Sequence, residues 1–129
     1  MSGKPTGSVQ PDRFALSSLI DALPDAIILA DEDGRIVDVN TQTVGLFGYA
    51  RDELIGSYVE ILLPASKREK HVEQRRAYVE KPRIRPMGFG EPLVARHKDG
   101  HELQVEIRLA PYQSQDGFLV VGSIREVAR

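Results

Sequence analysis

The sequence predicts an α+β domain, a five-stranded antiparallel sheet with helices on one face and an N-terminal flanking helix. Two Asp-Gly pairs, Asp33-Gly34 and Asp99-Gly100, are flanked by β-type segments and indicate hairpins. The region from Asn40 to Glu80 lies between the hairpins and has the spacing of several short helices and one longer helix. Two strands, a helical middle and three further strands are therefore expected in that order.

Composition supports one folded domain. The chain has 129 residues, of which 41% are apolar and 28% charged, so a wholly disordered or collagen-like chain is excluded. No apolar run approaches the ~20 residues of a membrane span, and Met1 to Pro11 lacks a secretory signal. A formal charge of −2 gives no argument for nucleic acid or an anionic membrane. We therefore predict neither as a partner and expect a cytoplasmic location.

The N-terminal region divides into two parts. Residues 1–13 are rich in Gly, Pro and Ser and are predicted to be a flexible leader, with the folded domain at 14–129. From Phe14 to Leu23 the apolar residues have helical spacing, and Pro24 ends that helix.

The strands have different patterns. Asp25 to Ala30 and Ile36-Val37 form the first hairpin, and Leu93 to His97 begins the second. The next strand alternates strictly, which predicts one buried face made of Leu103, Val105, Ile107 and Leu109. A polar loop from Gln113 to Gly117 then precedes the last strand, Phe118 to Ile124.

The helical middle has recognisable boundaries. Asn40 suits the N-cap of the first short helix, and Gly48 suits its end. Two further short helices are predicted at Arg51 to Leu54 and Tyr58 to Leu63. The longest helix opens at Pro64-Ala65-Ser66, with Ser66 and Glu69 at capping-box spacing, and ends near Val79. Lys81 to Pro92 is rich in Pro and Gly and is expected to be a loop over a cavity.

These segments together resemble the PAS family over about residues 16–127. The segments that carry the resemblance are Leu23 to Asp31, Asp33 to Val37, Asn40, Leu46 to Tyr49, Glu53 to Gly56, and Arg96 to Gly100 with Leu103, Val105 and Ile107. The resemblance implies the PAS fold and a sensory and dimerisation module that holds a ligand between the sheet and the helices. It implies the input domain of a larger signalling protein, such as a histidine kinase of a two-component system or a cyclic-dinucleotide enzyme.

The partners expected from this resemblance are a second copy of the chain, in a homodimer, and a C-terminal output domain. No catalytic residues are predicted, because the sequence has neither a phosphate-binding Gly-rich loop nor a nucleophile elbow. Any catalytic activity is expected to lie in the output domain. A ligand-free dimerisation module remains an alternative.

A cavity lining follows from strand alternation, the helix face nearest the sheet and the apolar residues of the loop. The predicted lining residues are Ile28, Phe47, Leu62, Tyr78, Met87, Phe89, Leu93, Ile107, Val120 and Ile124. Such a lining favours a small apolar ligand. The identity of a cofactor stays open. Flavin-cysteinyl chemistry is excluded because cysteine is absent.

Haem binding through His71 is the other alternative. The segment Lys67 to Val72 resembles the helix that supplies the iron ligand in oxygen-sensing haem PAS domains, and imidazole suits that role. Those sensors usually carry an Arg near the position of Phe89 to Glu91, where this chain offers no donor to a bound gas. The sequence therefore favours an apolar ligand or an empty cavity over haem.

Two further groups of residues are interpreted as structural. His97 and His101 flank the second Asp-Gly turn, but two ligands on an exposed turn make a poor metal site, and no metal is predicted. Eight basic residues fall between Lys67 and Arg85, with few aromatic residues among them, and are interpreted as a solvated helix face.

Overall fold

The computed structural model describes residues 13–114 and 117–127. The elements are α1 (Arg13–Asp21), β1 (Ala26–Asp31), β2 (Ile36–Val39), α2 (Thr41–Phe47), α3 (Arg51–Leu54), a 3-10 helix (Val59–Leu62), α4 (Ala65–Glu80), β3 (Arg85–Met87), β4 (Leu93–Arg96), β5 (Glu102–Ser114) and β6 (Gly117–Glu126). The predicted leader lies outside the described residues apart from Arg13, which begins α1. No helix in the described parts of the chain has the length and apolar character needed to cross a membrane.

The strands form one antiparallel sheet in the order β2, β1, β6, β5 and β3, and β4 also pairs with β5. The sheet has six strands, one more than predicted, because Arg85–Met87 pairs with β5 instead of staying in a loop. β5 is 13 residues long, so its edge continues beyond the stretch that pairs with β4. Pro86 is tolerated there because β3 is an edge strand.

The inner face of the sheet carries the main core. Val105 and Leu103 are buried there, in the cluster that also contains Phe47 of α2 and Leu54 of α3. This confirms the predicted alternation along β5, since Ile107 and Leu109 lie on the same face. The outer face carries a smaller cluster in which Ile20 of α1 packs on β1, so the flanking helix and the other helices lie on opposite faces.

Asn40 joins three elements at one buried point. Its Oδ1 accepts hydrogen bonds from the backbone N–H groups of Thr43 and Ile27, and its Nδ2 donates to the carbonyls of Ile20 and Asp25. The predicted N-cap is confirmed, and the same side chain also ties α1 and β1 to α2. Because these groups are buried or half-buried, the amide replaces water that they would otherwise bind.

The structure agrees with one predicted helix boundary and differs from another boundary and from one predicted loop. Gly48 ends α2 in the left-handed conformation with φ of 81°, as predicted. The predicted capping box of Ser66 and Glu69 is wrong, because α4 begins at Ala65 after Pro64 and Ser66 already lies within it. The predicted loop from Gln113 to Gly117 is also shorter, since Gln113 and Gly117 pair with β6 and β5 residues.

Candidate functional site

A cavity of about 820 Å³ lies between the inner face of the sheet and α4. Strand residues form one wall, including Ile28 of β1, Ile107 of β5 and Val120 of β6. Phe47 of α2 and Leu62 of the 3-10 helix also line the cavity, together with residues of β3 and β4, which continue the sheet beyond β5. The size and the mainly apolar walls are those of a small-molecule site.

The structure brings together most of the residues predicted to line a cavity. The residues that line it are Ile28, Phe47, Leu62, His71, Tyr78, Met87, Leu93, Ile107, Val120 and Ile124. Phe89 is not among them. It is half exposed and lies under the guanidinium of Arg108, 5.2 Å from ring centroid to Cζ. Alternation places Met87 on the inner face as part of β3, while Phe89 lies beyond the strand's end.

One face of α4 gives the cavity a basic wall. Residues four apart on this helix share a face, so Lys67, His71 and Arg75 all line the cavity, and Lys70 lines it beside them. Arg85 of β3 adds a further cation. Two acids also contribute to the lining. Asp31 has an Oδ1 that accepts backbone N–H groups of its own turn, and Glu91 is exposed.

Glu60 organises the base of this wall. It is buried on the 3-10 helix, and its carboxylate is 2.9 Å from Nε of Arg75 and 2.6 Å from Nδ1 of His71. Arg75 also donates to the carbonyl of Asp33 at 2.7 Å, which joins α4 to the first hairpin. The buried carboxylate is well satisfied, because Arg75 donates to each of its two oxygens.

The protonation state of Glu60 follows from these contacts. Burial alone raises the pKa of this carboxyl, but hydrogen bonds from Arg75 and His71 outweigh it and hold the pKa below the ordinary value. Glu60 is therefore ionised at neutral pH and has no proton to donate. The contact therefore needs a proton on Nδ1 of His71, and the neutral tautomer with that proton has its lone pair on Nε2.

Glu60 was missed by the reasoning from sequence. Eleven positions separate it from His71 in the chain, and the two belong to different helices, so no helical spacing relates them. The available signal was one charged residue inside the apolar segment Tyr58 to Leu63. A buried acid of that kind needs a cationic partner, and α4 is where such partners are found.

The other predicted histidines lie outside the cavity. His97 and His101 occupy the β4–β5 turn, and their rings stack with centroids 4.5 Å apart. Asp99 lies beside both, with Oδ1 at 3.2 Å from Nδ1 of His97 and 2.5 Å from Nδ1 of His101. The hydrogen bonds of Asp99 with His101 hold the pKa of this carboxyl below its usual range.

The architecture and the cavity match a known family. A family model described as "PAS fold" matches residues 15–127. The chain belongs to the PAS family. The predicted PAS fold is confirmed, and this is a regulatory sensor domain. Among solved structures, a PAS domain of a protein from Colwellia psychrerythraea is 24% identical with a TM-score of 0.72, covering 87% of this chain and 93% of that one.

Curated relatives of this PAS domain are much longer proteins, two of which are named as sensors and one as a histidine kinase. The sensor protein FixL of Bradyrhizobium diazoefficiens is 26% identical over 121 residues, covering 94% of this chain and 24% of FixL. The oxygen sensor protein DosP of Escherichia coli is 25% identical over 101 residues, covering 78% of this chain and 13% of DosP. The cell-division control histidine kinase PdhS of Brucella ovis is 23% identical over 106 residues, or 82% of this chain and 10% of that kinase. The chain thus spans a quarter or less of these relatives.

Proposed function

We propose that this PAS domain is the input domain of a larger signalling protein and that a ligand in the cavity sets the state of an output domain. The relatives support this, since FixL, DosP and PdhS are named as sensors or as a histidine kinase and are much longer than the region matched. A kinase of a two-component system or a cyclic-dinucleotide enzyme is the output expected from the sequence. A cytoplasmic location likewise stays a prediction.

The cavity walls indicate the class of ligand. The lining residues of β1, β5 and β6 are mainly apolar, whereas Lys67 and Lys70 of α4 and Arg85 of the edge strand β3 add cations that make no ion pair with any other described residue. We infer a small molecule with an apolar body and an acidic group. The apolar body would displace water from the sheet, and the cations, of which Lys67 and Lys70 are exposed, would pair with the acidic group. This basic wall beside an apolar wall is the observation that carries the proposal.

A route from the ligand to the output runs through β6. Val120 and Ile124 line the cavity, and the same strand pairs along its length with β1 and β5. β6 is also the last strand in the described part of the chain. A ligand that contacts these side chains differently in two packings of the sheet would shift the balance between the packings. The change in sheet packing would then be transmitted to the residues after β6.

Haem is a second candidate because of one observation, the Glu60–His71 contact. An imidazole that ligates a metal usually donates its other N–H to a carboxylate or carbonyl, which fixes its tautomer. His71 has this arrangement, and its ring lines a cavity with cations for two propionates. His71 would hold the haem iron, and the haem would supply reversible gas binding or a redox change. Glu91 does not offer a donor to a bound gas, so the acidic apolar ligand remains the first proposal.

Dimerisation is proposed through the outward face of α1. Phe14 is 80% exposed and Leu19 59% exposed, although the same helix buries Ile20 against the sheet. These two large apolar side chains lie one to two turns apart on the same helix. They expose more apolar surface than packing of α1 on the sheet requires. A second copy of α1 would cover them.

Two fluorescent probes with the same aromatic character test the ligand class. 1-Anilinonaphthalene-8-sulfonate carries an anion, and N-phenyl-1-naphthylamine is its neutral analogue. We expect the anionic probe to bind more tightly, and Lys67→Gln with Lys70→Gln to weaken it several-fold while leaving the neutral probe unchanged. Lys81→Gln is the matched control, since Lys81 is exposed and lies outside the lining.

A cavity-filling variant locates the probes. Gly122 lines the cavity, and a Cβ built there meets Leu109 Cδ2 at 3.6 Å and the Ile28 carbonyl at 3.8 Å, which are ordinary contacts. Gly122→Leu should therefore fold, fill part of the cavity and weaken both probes. Equal affinity for the two probes, or anionic binding that survives Gly122→Leu, would overturn the proposed ligand class.

A further inference from the structure

The turn between β4 and β5 brings three metal-ligating side chains together outside the cavity. One ligand atom from each of His97, Asp99 and His101 lies within 4.8 Å of the others. Both imidazole Nδ1 atoms approach the same carboxylate oxygen, Oδ1 of Asp99, at 3.2 and 2.5 Å. Asp99, the turn aspartate, therefore supplies a third ligand beside the two histidines.

The turn is held in place by bonds to the rest of the domain. The backbone N–H of His97 donates to the carbonyl of His101, and that of Lys98 donates to the carbonyl of Phe47, both at 2.9 Å. The Lys98 ammonium group also pairs with Glu53 of α3 at 2.8 Å. The three side chains thus project from a backbone that is already fixed, which lowers the entropy that a ligand would have to remove.

His97 has little freedom to turn away. Its ring lies directly over Gly48, where a Cβ would meet ring atoms Cε1 and Nε2 at 2.3 and 2.5 Å. The backbone N–H of Asp99 donates to Nδ1 of His97 at 3.1 Å, so this nitrogen carries a lone pair and not a proton. An unprotonated nitrogen is the form that coordinates a metal ion, and coordination would exchange this hydrogen bond for a metal bond.

We propose that His97, Asp99 and His101 form a binding site for a divalent transition-metal ion of the zinc and nickel class. Two imidazole nitrogens and one carboxylate oxygen suit these ions better than Mg²⁺ or Ca²⁺, which prefer all-oxygen sites. The ion takes the place of the proton between His101 and Asp99, and that proton moves to Nε2 of the same neutral ring. Water completes the coordination, since Asp99 and His101 are more than half exposed.

Calorimetric titration of the tag-free chain with ZnCl₂ and with NiCl₂ tests the site. We expect saturable binding near one ion per chain, and no comparable heat with MgCl₂. His101→Ala and His97→Ala should each weaken binding by at least about tenfold, because even loss of an outer-shell partner costs about that much. The matched control is Asp33→Asn, which removes a carboxylate from the other Asp-Gly turn, where no histidine lies alongside.

Thermal unfolding with and without EDTA gives a second measurement. Zn²⁺ should raise the melting temperature of the parent chain and of Asp33→Asn, EDTA should reverse the rise, and His101→Ala should show a smaller rise. Circular dichroism of His101→Ala confirms that its fold is retained. Absence of saturable binding, undiminished binding in His101→Ala, or binding lost only in His71→Ala would overturn the proposal.

Discussion

Oε2 of Glu60 lies 2.6 Å from Nδ1 of His71, across the junction of the 3-10 helix and α4. The same carboxylate pairs with Arg75, so one buried acid fixes two basic side chains on the cavity wall. Both contacts depend on Glu60 being ionised. Protonation of one group would therefore loosen α4 from the base of the cavity.

The first prediction concerns pH. The pKa of Glu60 is lower in the folded chain than its ordinary value of 4.5, so its contribution to stability is present above that value and is lost as pH falls through the folded pKa. Urea unfolding between pH 7 and pH 3 should show this loss in the parent chain and a weaker pH dependence in Glu60→Gln. At pH 7 we expect Glu60→Gln to lower the free energy of unfolding by about 1–3 kcal/mol.

Glu73→Gln is the matched control for that measurement, because Glu73 is exposed on α4 and its carboxyl makes no ion pair with another described residue. The free energy of unfolding of Glu73→Gln should change with pH in the same way as that of the parent chain. An unchanged pH dependence in Glu60→Gln would contradict the role given to this carboxylate.

The second prediction tests the register of β5. Val105 is 1% exposed within the inner cluster, so Val105→Asp places a charge without a partner in the core. We expect the free energy of unfolding to fall by at least about 3 kcal/mol, measured by urea denaturation. Arg108→Asp, on the outer side of the same strand, should cost far less. Equal losses in the two variants would count against this register.

The third prediction concerns Asn40. Asn40→Ala removes the N-cap of α2 and leaves the buried N–H of Ile27 without an acceptor. Loss of the cap alone costs about 0.5–2 kcal/mol, so we expect a total loss above about 2 kcal/mol in urea denaturation. Asn40→Asp keeps the acceptor but places a buried carboxylate against the carbonyls of Ile20 and Asp25, so we expect a loss at least as large at neutral pH. If Asn40→Ala lowers the free energy of unfolding by less than about 1 kcal/mol, other groups or water must replace the Asn40 hydrogen bonds.

The fourth prediction concerns the dimer. Leu19→Asp should convert a dimer to a monomer in light scattering while leaving the unfolding curve of the monomer nearly unchanged, because Leu19 is exposed. Ile84→Asp makes the same kind of change at an exposed apolar residue outside α1 and should leave the dimer intact. A parent chain that stays monomeric at high concentration would end this proposal.

The fifth prediction separates haem from the other ligand class. We expect no Soret band in the chain as purified, and only weak, diffuse absorbance on titration with hemin. A sharp Soret shift at near-unit stoichiometry that disappears in His71→Ala and persists in His101→Ala would promote haem to the first proposal. Denaturing mass spectrometry of the same sample would identify an organic ligand that is retained during purification.

Local patterns predicted much of the fold. Asp-Gly turns, the alternation along β5 and the Asn40 cap each depend on residues close together in the chain, and the structure confirms them. The extra strand could not be predicted in this way, because Arg85–Met87 becomes a strand only by lying beside the exposed edge of β5. Phe89 was misplaced for a related reason, since its orientation depends on where that short strand ends.

By itself, the sequence determined the fold family and most of the cavity wall, because strand alternation and helical periodicity decide which side chains share a face. Tertiary structure alone decided which faces meet. It placed Glu60 against His71 and Arg75, and it folded Asp99 back between His97 and His101. Periodicity relates residues within one element, whereas the distance between two elements or across a turn is set by packing and hydrogen bonding of the whole domain. The chemistry of both sites depends on those distances.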